Sequence, residues 1–482
     1  MSNNSDDQVL KKARKAVDEA VGISKEKITY NASFNGLCDI VLDEKEIRYL
    51  TFKDGVLDSI EVDGIMLQPP PAKSLPPQLK IPRLEKVLEY AQNHGDAGET
   101  GDTGVCTGCT QLFYALVSYH EEISDLPDPN LYKLIALWDF HTYAMEKADY
   151  SPIIYFYSVA ERGKSRTLKG MTYVAYRGIR KGDIRDSQLI RDCTNLCATL
   201  AFDMTDFWEK VKQSGSQDVI LNRYESGTTV SRVNRPEKGA FRDTDYYDVF
   251  GPTVLATNEI INEIADTRSI PITMLKADRD FDNIVTPESG LDLKEQLTAW
   301  RYVHLNDTFP KVNKMAKSRL GDITRPLYQI LMKVAPKEEQ NLKDLINKIE
   351  KSKLTDMSNS INAEILQAWN SISYQINDNV IPCKAVTDSF NEGKEDRERF
   401  ASRRVGSILK SLGFYACSTS NHTLGFIYEE ERTVKLLKEY GVLSIVTPVN
   451  PETPETPDIQ AQMDLKDAEN TISQTPVDQD II

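Results

Sequence analysis

The sequence predicts an α/β protein: a parallel sheet with crossover helices, followed by a helical lid and a C-terminal winged helix, with a small α+β unit in front. Three observations predict it. Ile153 to Tyr157 is a short apolar run of aromatic and β-branched residues, bounded by Pro152 and Ser158, which reads as a buried strand. It runs into a loop ending Gly163-Lys164-Ser165 and then into a helical stretch, Arg166 to Tyr176. Strand and helix signals then alternate to about residue 280, as parallel strands joined by crossover helices require.

The bulk properties set limits. The chain has 482 residues, enough for two to four domains, and at 40% hydrophobic and 27% charged it is globular for most of its length. No run approaches the ~18 apolar residues of a membrane span, so no membrane partner is expected. The first residues, Met-Ser-Asn-Asn-Ser-Asp-Asp, are polar and acidic with no visible secretory signal, so a cytoplasmic protein is expected. Seven scattered cysteines are not a disulfide framework. Cys106-Thr-Gly-Cys109 is a lone C-x-x-C with no second pair nearby; two reduced thiols near a helix start are expected rather than zinc. A net charge of −15 argues against a protein that coats DNA. Much of that charge is local, since residues 450–482 carry eight acids against Lys466.

In order, residues 1–72 read as the α+β unit, with a helix over Gln8 to Val21 and strands within Asp39 to Phe52 and Val56 to Leu67. Residues 73–105 hold the end of a Pro-rich run, a linker or strap, and a loop dense in Gly and Asp. Helices are expected over Arg83 to Gln92, Thr110 to Glu122 and Asn130 to Lys147, with His141 as a core histidine among aromatics. Residues 106–282 form the core, and 283–355 a helical lid, all helical from Gly290 to about Lys351.

The chemistry clusters in that core. A helix N-terminus offers N–H groups to a polyphosphate, a Lys can reach the β- and γ-phosphates, and a hydroxyl can sit on Mg²⁺. Gly163, Lys164, Ser165 and Arg166 supply these, with Ser158 where the G-x-x-x-x-G-K-S pattern opens on Gly. An ordinary strand-to-helix turn with a surface Lys gives the same local signal. Thr199 to Asp203 is a strand ending in a carboxylate, which beside a phosphate loop orients Mg²⁺ and water; Asp206 follows. Strands over Thr228 to Val233 and Tyr246 to Val249 flank a turn-rich excursion. From Arg223 to Arg242 the bases Arg223, Arg232, Arg235, Lys238 and Arg242 face only Glu225 and Glu237, a local charge of +3. A Lys and an aromatic at a hairpin tip suit phosphate and base contact; a solvated hairpin is the alternative. Thr253 to Asn258 is another strand with a polar end, Arg268 precedes the strand Ile270 to Met274, and Arg319 stands at a helix junction.

This series resembles the P-loop AAA+ ATPase core over about residues 106–445, and more narrowly the helicase-type ATPases of phages, plasmids and integrated mobile elements. The resemblance is carried by Thr199 to Trp208, Asp248 to Asn258 and Arg319 to Leu327. It implies a homo-oligomeric ring, usually a hexamer, with ATP and Mg²⁺ between subunits. By resemblance, Lys164 binds the β- and γ-phosphates, Ser165 and Asp203 hold Mg²⁺, and Asn258 orients water as sensor 1. Arg268 is an arginine finger offered to the neighbour, Arg319 is sensor 2, and Lys238 lies on a DNA-contacting pore hairpin. Two positions depart from the pattern: Ser158 replaces Gly, and Met204 replaces the Glu that follows the Walker B Asp. Asp206 and Glu259 are the candidates to take that Glu's place, a choice that geometry decides.

Residues 356–446 read as three helices and a β-wing: Ile361 to Ile372, a helix begun by Pro382, then Ser402 to Leu412 capped by Ser402. A hairpin and a last helix, Glu431 to Tyr440, complete the module. Arg403, Arg404 and Lys410 on the polar side of the third helix suit a major groove, though acids beside the wing also suit a protein partner. Residues 447–482 are an acidic, Pro-containing tail that cannot fold alone, expected to meet a protein partner. Two functions are expected. One is an ATP-dependent DNA helicase or replication initiator with single-stranded DNA in the ring and duplex at the winged helix. The other is a DNA-binding ring scaffold that holds ATP and hydrolyses it poorly. A small-molecule kinase is disfavoured by the winged helix and the two arginines.

Overall fold

Two small sheets come first in the computed structural model, which describes residues 29–95, 107–259, 263–373, 379–419 and 422–443. The expected helix over Gln8 to Val21, most of the Gly/Asp-rich loop and the acidic tail lie outside the described residues. The strands are β1 Thr29–Tyr30, β2 Leu37–Asp43, β3 Glu46–Thr51, β4 Gly55–Leu57, β5 Ile60–Val62 and β6 Ile65–Gln68, in sheets ordered β2-β3-β4 and β1-β6-β5. Each of the two long runs expected from sequence is broken by a hairpin. The turn at Asp63-Gly64 carries a sequence signal; the one at Glu44, with φ +52°, has no glycine to announce it. The Pro-rich run then lies along the protein, with Pro82 O accepting from Leu42 N (2.8 Å) and Gln78 Nε2 donating to Arg180 O (2.7 Å).

Helices α1 Leu84–Gly95, α2 Thr107–Ile123 and α3 Pro129–Thr142 come next. Asp128 caps α3 by accepting from Asn130 N, with Pro129 in the first turn. Nearly every residue of α3 from Leu131 on is buried, which makes it a core helix. The central layer is a five-stranded parallel sheet of β7 Ile153–Tyr157, β8 Ile179–Lys181, β9 Leu200–Asp203, β12 Thr253–Thr257 and β13 Ser269–Thr273, in the order β13-β7-β12-β9-β8. Alternation assigns its two faces. Ile154, Phe156, Val254, Ala256, Ile270 and Ile272 pack with α2, α3 and the helix α4 Lys164–Val174. Ile153, Tyr155, Leu200, Phe202 and Leu255 pack with α5 Asp186–Leu196, α6 Phe207–Ser214 and α7 Gln217–Asn222. Between β9 and β12 the antiparallel hairpin β10 Thr229–Val233 and β11 Thr244–Asp248 rises; the short helix α8 Glu263–Asp266 precedes β13.

The stretch expected to be all helical is three helices, α9 Leu291–His304, α10 Ser318–Val334 and α11 Glu339–Ser358, with residues 305–317 outside any helix. Pro310 lies in that break. The chain divides into two units between Glu350 and Lys351. In the second, the order is α12 Ile361–Ser371, β14 Val380–Pro382, α13 Cys383–Asn391, α14 Ser402–Ser411, β15 Ala416–Ser418, β16 Leu424–Ile427 and α15 Glu430–Glu439. The hairpin β15–β16 carries a third antiparallel strand, β14, too short to read from sequence. Ala401, not Ser402, is the N-cap of α14, and no side chain caps it. Pro382 likewise precedes α13 as its N-cap. Among the described residues no helix is long and apolar enough to cross a membrane.

Buried cations join the N-terminal strands to the core. Arg177, 3% exposed, donates from Nε to Asp39 (2.8 Å) and from Nη1 to the carbonyls of Ala32 and Leu196. Arg301 donates to Cys38 O (2.7 Å), Tyr143 O (2.6 Å) and Glu146 (2.7 Å). Their guanidinium groups lie 4.6 and 5.2 Å from the Tyr176 ring. Removing Arg177 leaves Asp39 buried and unpaired, so Arg177→Ala should cost roughly 3–5 kcal/mol, read as a lower urea midpoint for the first unit. His141 is a core histidine. Its Nε2 lies 2.9 Å from Ser151 Oγ, and burial pushes its pKa down to about 3. The native state therefore refuses a proton that the unfolded chain accepts below ~6.5, so its contribution is full above that pH and is lost on acidification. Relative to His141→Gln, the wild type should lose on the order of 1 kcal/mol per pH unit between pH ~6 and ~4.5. Parallel urea titrations at those pH values check this.

Candidate nucleotide and nucleic-acid sites

Parallel strands bring all five carboxyl ends to one edge of the sheet, and the loops there form the first candidate site. Gly163, with φ +80°, turns the chain from that edge into α4, a conformation only glycine adopts freely. Lys164 and Ser165 open the helix. Ser165 Oγ lies 2.8 Å from Asp203 Oδ1. Asp203 is not on the strand beside the loop, as expected from sequence: β12 lies between, with Ala256 paired to Phe156 on one side and to Asp203 on the other. A hydroxyl and a carboxylate in contact suit a hard divalent cation such as Mg²⁺. Burial pushes the Lys164 ammonium below its ordinary value, against the pull of Asp203. A cavity of about 370 Å³ borders the loop, walled by Glu161 to Arg166, Lys169, Ile284 and Val285. Arg166 donates to Ile123 O (2.7 Å) and stacks on Phe281 with its guanidinium 4.8 Å from the ring.

Asn258 is exposed just beyond β12, level with the loop and Asp203. Glu259 is next, half-buried, and its Oε1 is buried without a hydrogen-bond partner among the described residues. Met204 packs against the hydrophobic cluster under β9. Asp206, exposed with φ +52°, is the residue before α6.

Arg268 and Arg319 sit elsewhere, and together. Arg268 precedes β13, at the edge where the strands begin, and Ile153 N donates to its carbonyl. Its guanidinium lies 4.6 Å from the Tyr224 ring; that of Arg319 lies 5.7 Å from the same ring and donates to Thr267 Oγ1 (2.8 Å). The length of β7, five residues or ~16 Å, separates this edge from the loop that ends in Gly163. The pairing on Tyr224 has no sequence signal.

The hairpin is less basic than its sequence count suggests. Arg223 is fully buried beneath the strand starts, bonded to Thr253 Oγ1, Val249 O, Ala198 O and Pro252 O at 2.8–3.0 Å. Gly251 lies against it, where a Cβ would meet Nη2 at 2.8 Å. Arg232 is consumed by Asp186 (2.7 Å) and Asp218 (2.8 Å), and Arg235 pairs with Asp245 (3.2 Å). Lys238 and Arg242 are exposed at the tip, with Phe241 fully exposed between them at φ +68°. With β11 included, bases and acids from Thr229 to Asp248 balance at four each.

In the second unit Arg403, Arg404 and Lys410 are exposed on α14, with Val405 and Leu409 buried behind them. Arg404 stacks on Phe400, 3.5 Å from the ring. Cys109 is buried with His304 Nε2 3.6 Å from its sulfur, a neighbour far away in sequence; Cys106 is outside the described residues. Among the described residues no group of three or more His, Cys, Asp or Glu is placed to hold a metal.

No family model matches the chain, and no curated protein matches it. Among solved structures the chain is similar to the apo C-terminal region of NrS-1, at 12% identity over 77% of this chain and 82% of that one, with a TM-score of 0.33. It is similar to the SCCmec type IV Cch active helicase, at 12% identity over 89% and 84%, with a TM-score of 0.34. It is also similar to the Drosophila ORC bound to DNA, at 12% identity over 68% and 92%, with a TM-score of 0.18. Likenesses this distant say nothing about chemistry, which must come from the residues of the chain itself.

The salt-bridged position of Arg232 makes a clear prediction. Arg232→Gln should lower the melting temperature by several degrees through the loss of two partly buried ion pairs. Lys238→Ala, at the exposed hairpin tip, should leave it within about a degree. Thermal melts of both variants check this.

Proposed function

We propose that this chain is a P-loop ATPase of the AAA+ helicase type, working on DNA in the replication of a mobile element. The observation that carries the reading is the contact of Ser165 with Asp203 beside the buried amine of Lys164, at the carboxyl edge of a parallel sheet. There Mg²⁺ would be held by Ser165 and Asp203 and would offset charge on the phosphate oxygens. Lys164 meets the β- and γ-phosphates. Asn258 orients water. Glu259, just past the strand between the loop and Asp203, takes the place of the catalytic Glu that Met204 replaces. Its unpaired buried oxygen is available to a water, whereas Asp206 lies at the start of α6.

Arg268 and Arg319 cannot reach their own chain's phosphate loop across ~16 Å of sheet. Their reading is therefore joint: both meet the nucleotide of a neighbouring subunit in a ring, held side by side on Tyr224. Lys238, Arg242 and the exposed Phe241 grip single-stranded DNA by phosphate contact and stacking. Arg403, Arg404 and Lys410 on α14 meet duplex DNA, and the acidic tail meets a protein partner.

Steady-state ATP turnover with and without single-stranded DNA tests the reading. Wild-type turnover should rise with DNA and fall ~100-fold or more in Lys164→Ala. Glu259→Gln should fall by ~10²-fold while Asp206→Asn stays within a few-fold. Arg268→Ala and Arg319→Ala should each lose turnover yet restore it when mixed with Lys164→Ala, as complementation across an interface requires. A wild type that binds ATP but turns it over no faster than Lys164→Ala supports the ring-scaffold reading instead, which Met204 favours.

A further inference from the structure

The phosphate loop contains a closure of its own. A lysine ammonium has three N–H donors. In Lys164 all three are met inside the loop, by Ser158 O at 2.7 Å, Ser158 Oγ at 3.0 Å and Val159 O at 2.6 Å. Both side chains are buried, Lys164 at 8% and Ser158 at 5% exposure. The Ser158 hydroxyl is itself committed, donating to Val159 O at 2.9 Å. One of the three acceptors therefore exists only because a serine stands where the phosphate-loop pattern has glycine. The loop backbone is also bent unfavourably in this state: Glu161 has φ +62°, a region that residues with a Cβ avoid.

We propose that Ser158 is a latch that holds Lys164 in a closed loop, so that nucleotide entry must first break the Ser158–Lys164 contacts. The inference rests on the reading of this loop as a nucleotide site. A polyphosphate needs the ammonium pointing outward, and every donor it takes must be released by the loop. The apparent affinity is then lowered by the fraction of chains in which the latch is open. A glycine or alanine at position 158 keeps the carbonyl acceptors and removes the hydroxyl. One buried N–H then loses its partner, and the open state gains population. Glu161 lines the space a polyphosphate would enter.

Two measurements on the full-length chain separate the latch from the site reading. The first is trace acetylation of amines by acetic anhydride without nucleotide, mapped by peptide mass spectrometry, with half-buried Lys169 on the same helix as reference. Lys164 should label at least tenfold more slowly than Lys169 in the wild type, and at least threefold faster in both Ser158→Ala and Ser158→Gly than in the wild type. The second is stopped-flow association of a fluorescent ATP analogue with Mg²⁺, whose on-rate should rise by a similar factor in both variants. Unchanged Lys164 labelling in both variants overturns the latch. So does faster labelling with slower nucleotide association, which would assign the hydroxyl to the nucleotide. If labelling shifts as expected but the analogue binds to none of the three proteins, the closure stands and the nucleotide-site reading fails.

Discussion

Parallel strand direction is the constraint on which the rest of this molecule depends. Five strands running one way place every carboxyl end, with its outward-pointing loop, on one edge of the sheet. Lys164, Ser165, Asp203, Asn258 and Glu259 belong to that edge because their strands end there. Arg268 belongs to the other because its strand begins there. No side-chain motion carries an arginine from one edge to the other, so within one chain the carboxyl-edge residues and Arg268 stay on separate halves of the sheet. The central position of β12, between the strand that feeds the phosphate loop and the strand that ends in Asp203, sets the width of the first half.

The second theme is the buried guanidinium used as a fastener. Arg223 closes the strand-start edge, and Arg177 and Arg301 fasten the N-terminal strands. In each case the planar fork is spent mainly on backbone carbonyls near strand ends. A lysine could not meet so many acceptors in one plane. Charge is thereby used for architecture, and little is left over for ligands. Of the five bases counted around the hairpin, one is buried and two are paired, so the tip depends on Lys238, Arg242 and an aromatic ring rather than on a basic field.

What could be read from sequence was local. The strand before Ser158, the glycine turn, Lys164 and Ser165, the carboxylate at the end of β9 and the helices of the second unit each announce themselves within a dozen residues. What could not be read was pairing at a distance. Strand order placed β12 beside β7, and nothing in the spacing of Asp203 told of it. Arg268 and Arg319 each stand out singly in the sequence, while their meeting on Tyr224 depends on how α10 packs against α2 and α3. Arg223 and Arg232 looked like free surface charge because their partners lie in other elements. The turn at Glu44 and the three-residue β14 were lost for the opposite reason: each is too short, and too plain in composition, to raise a signal.

The fastening of the N-terminal strands bears on how such a chain can be reassembled in evolution. Arg177 lies just past the far end of the helix that begins with Lys164, and it holds Asp39 and Ala32. A recombination joint placed after the Pro-rich run would leave two buried cations facing the wrong backbone. These strands and the helix that begins with Lys164 are thus constrained to be exchanged together. The boundary between Glu350 and Lys351 falls inside the continuous helix α11, so an exchange there must preserve that helix's register.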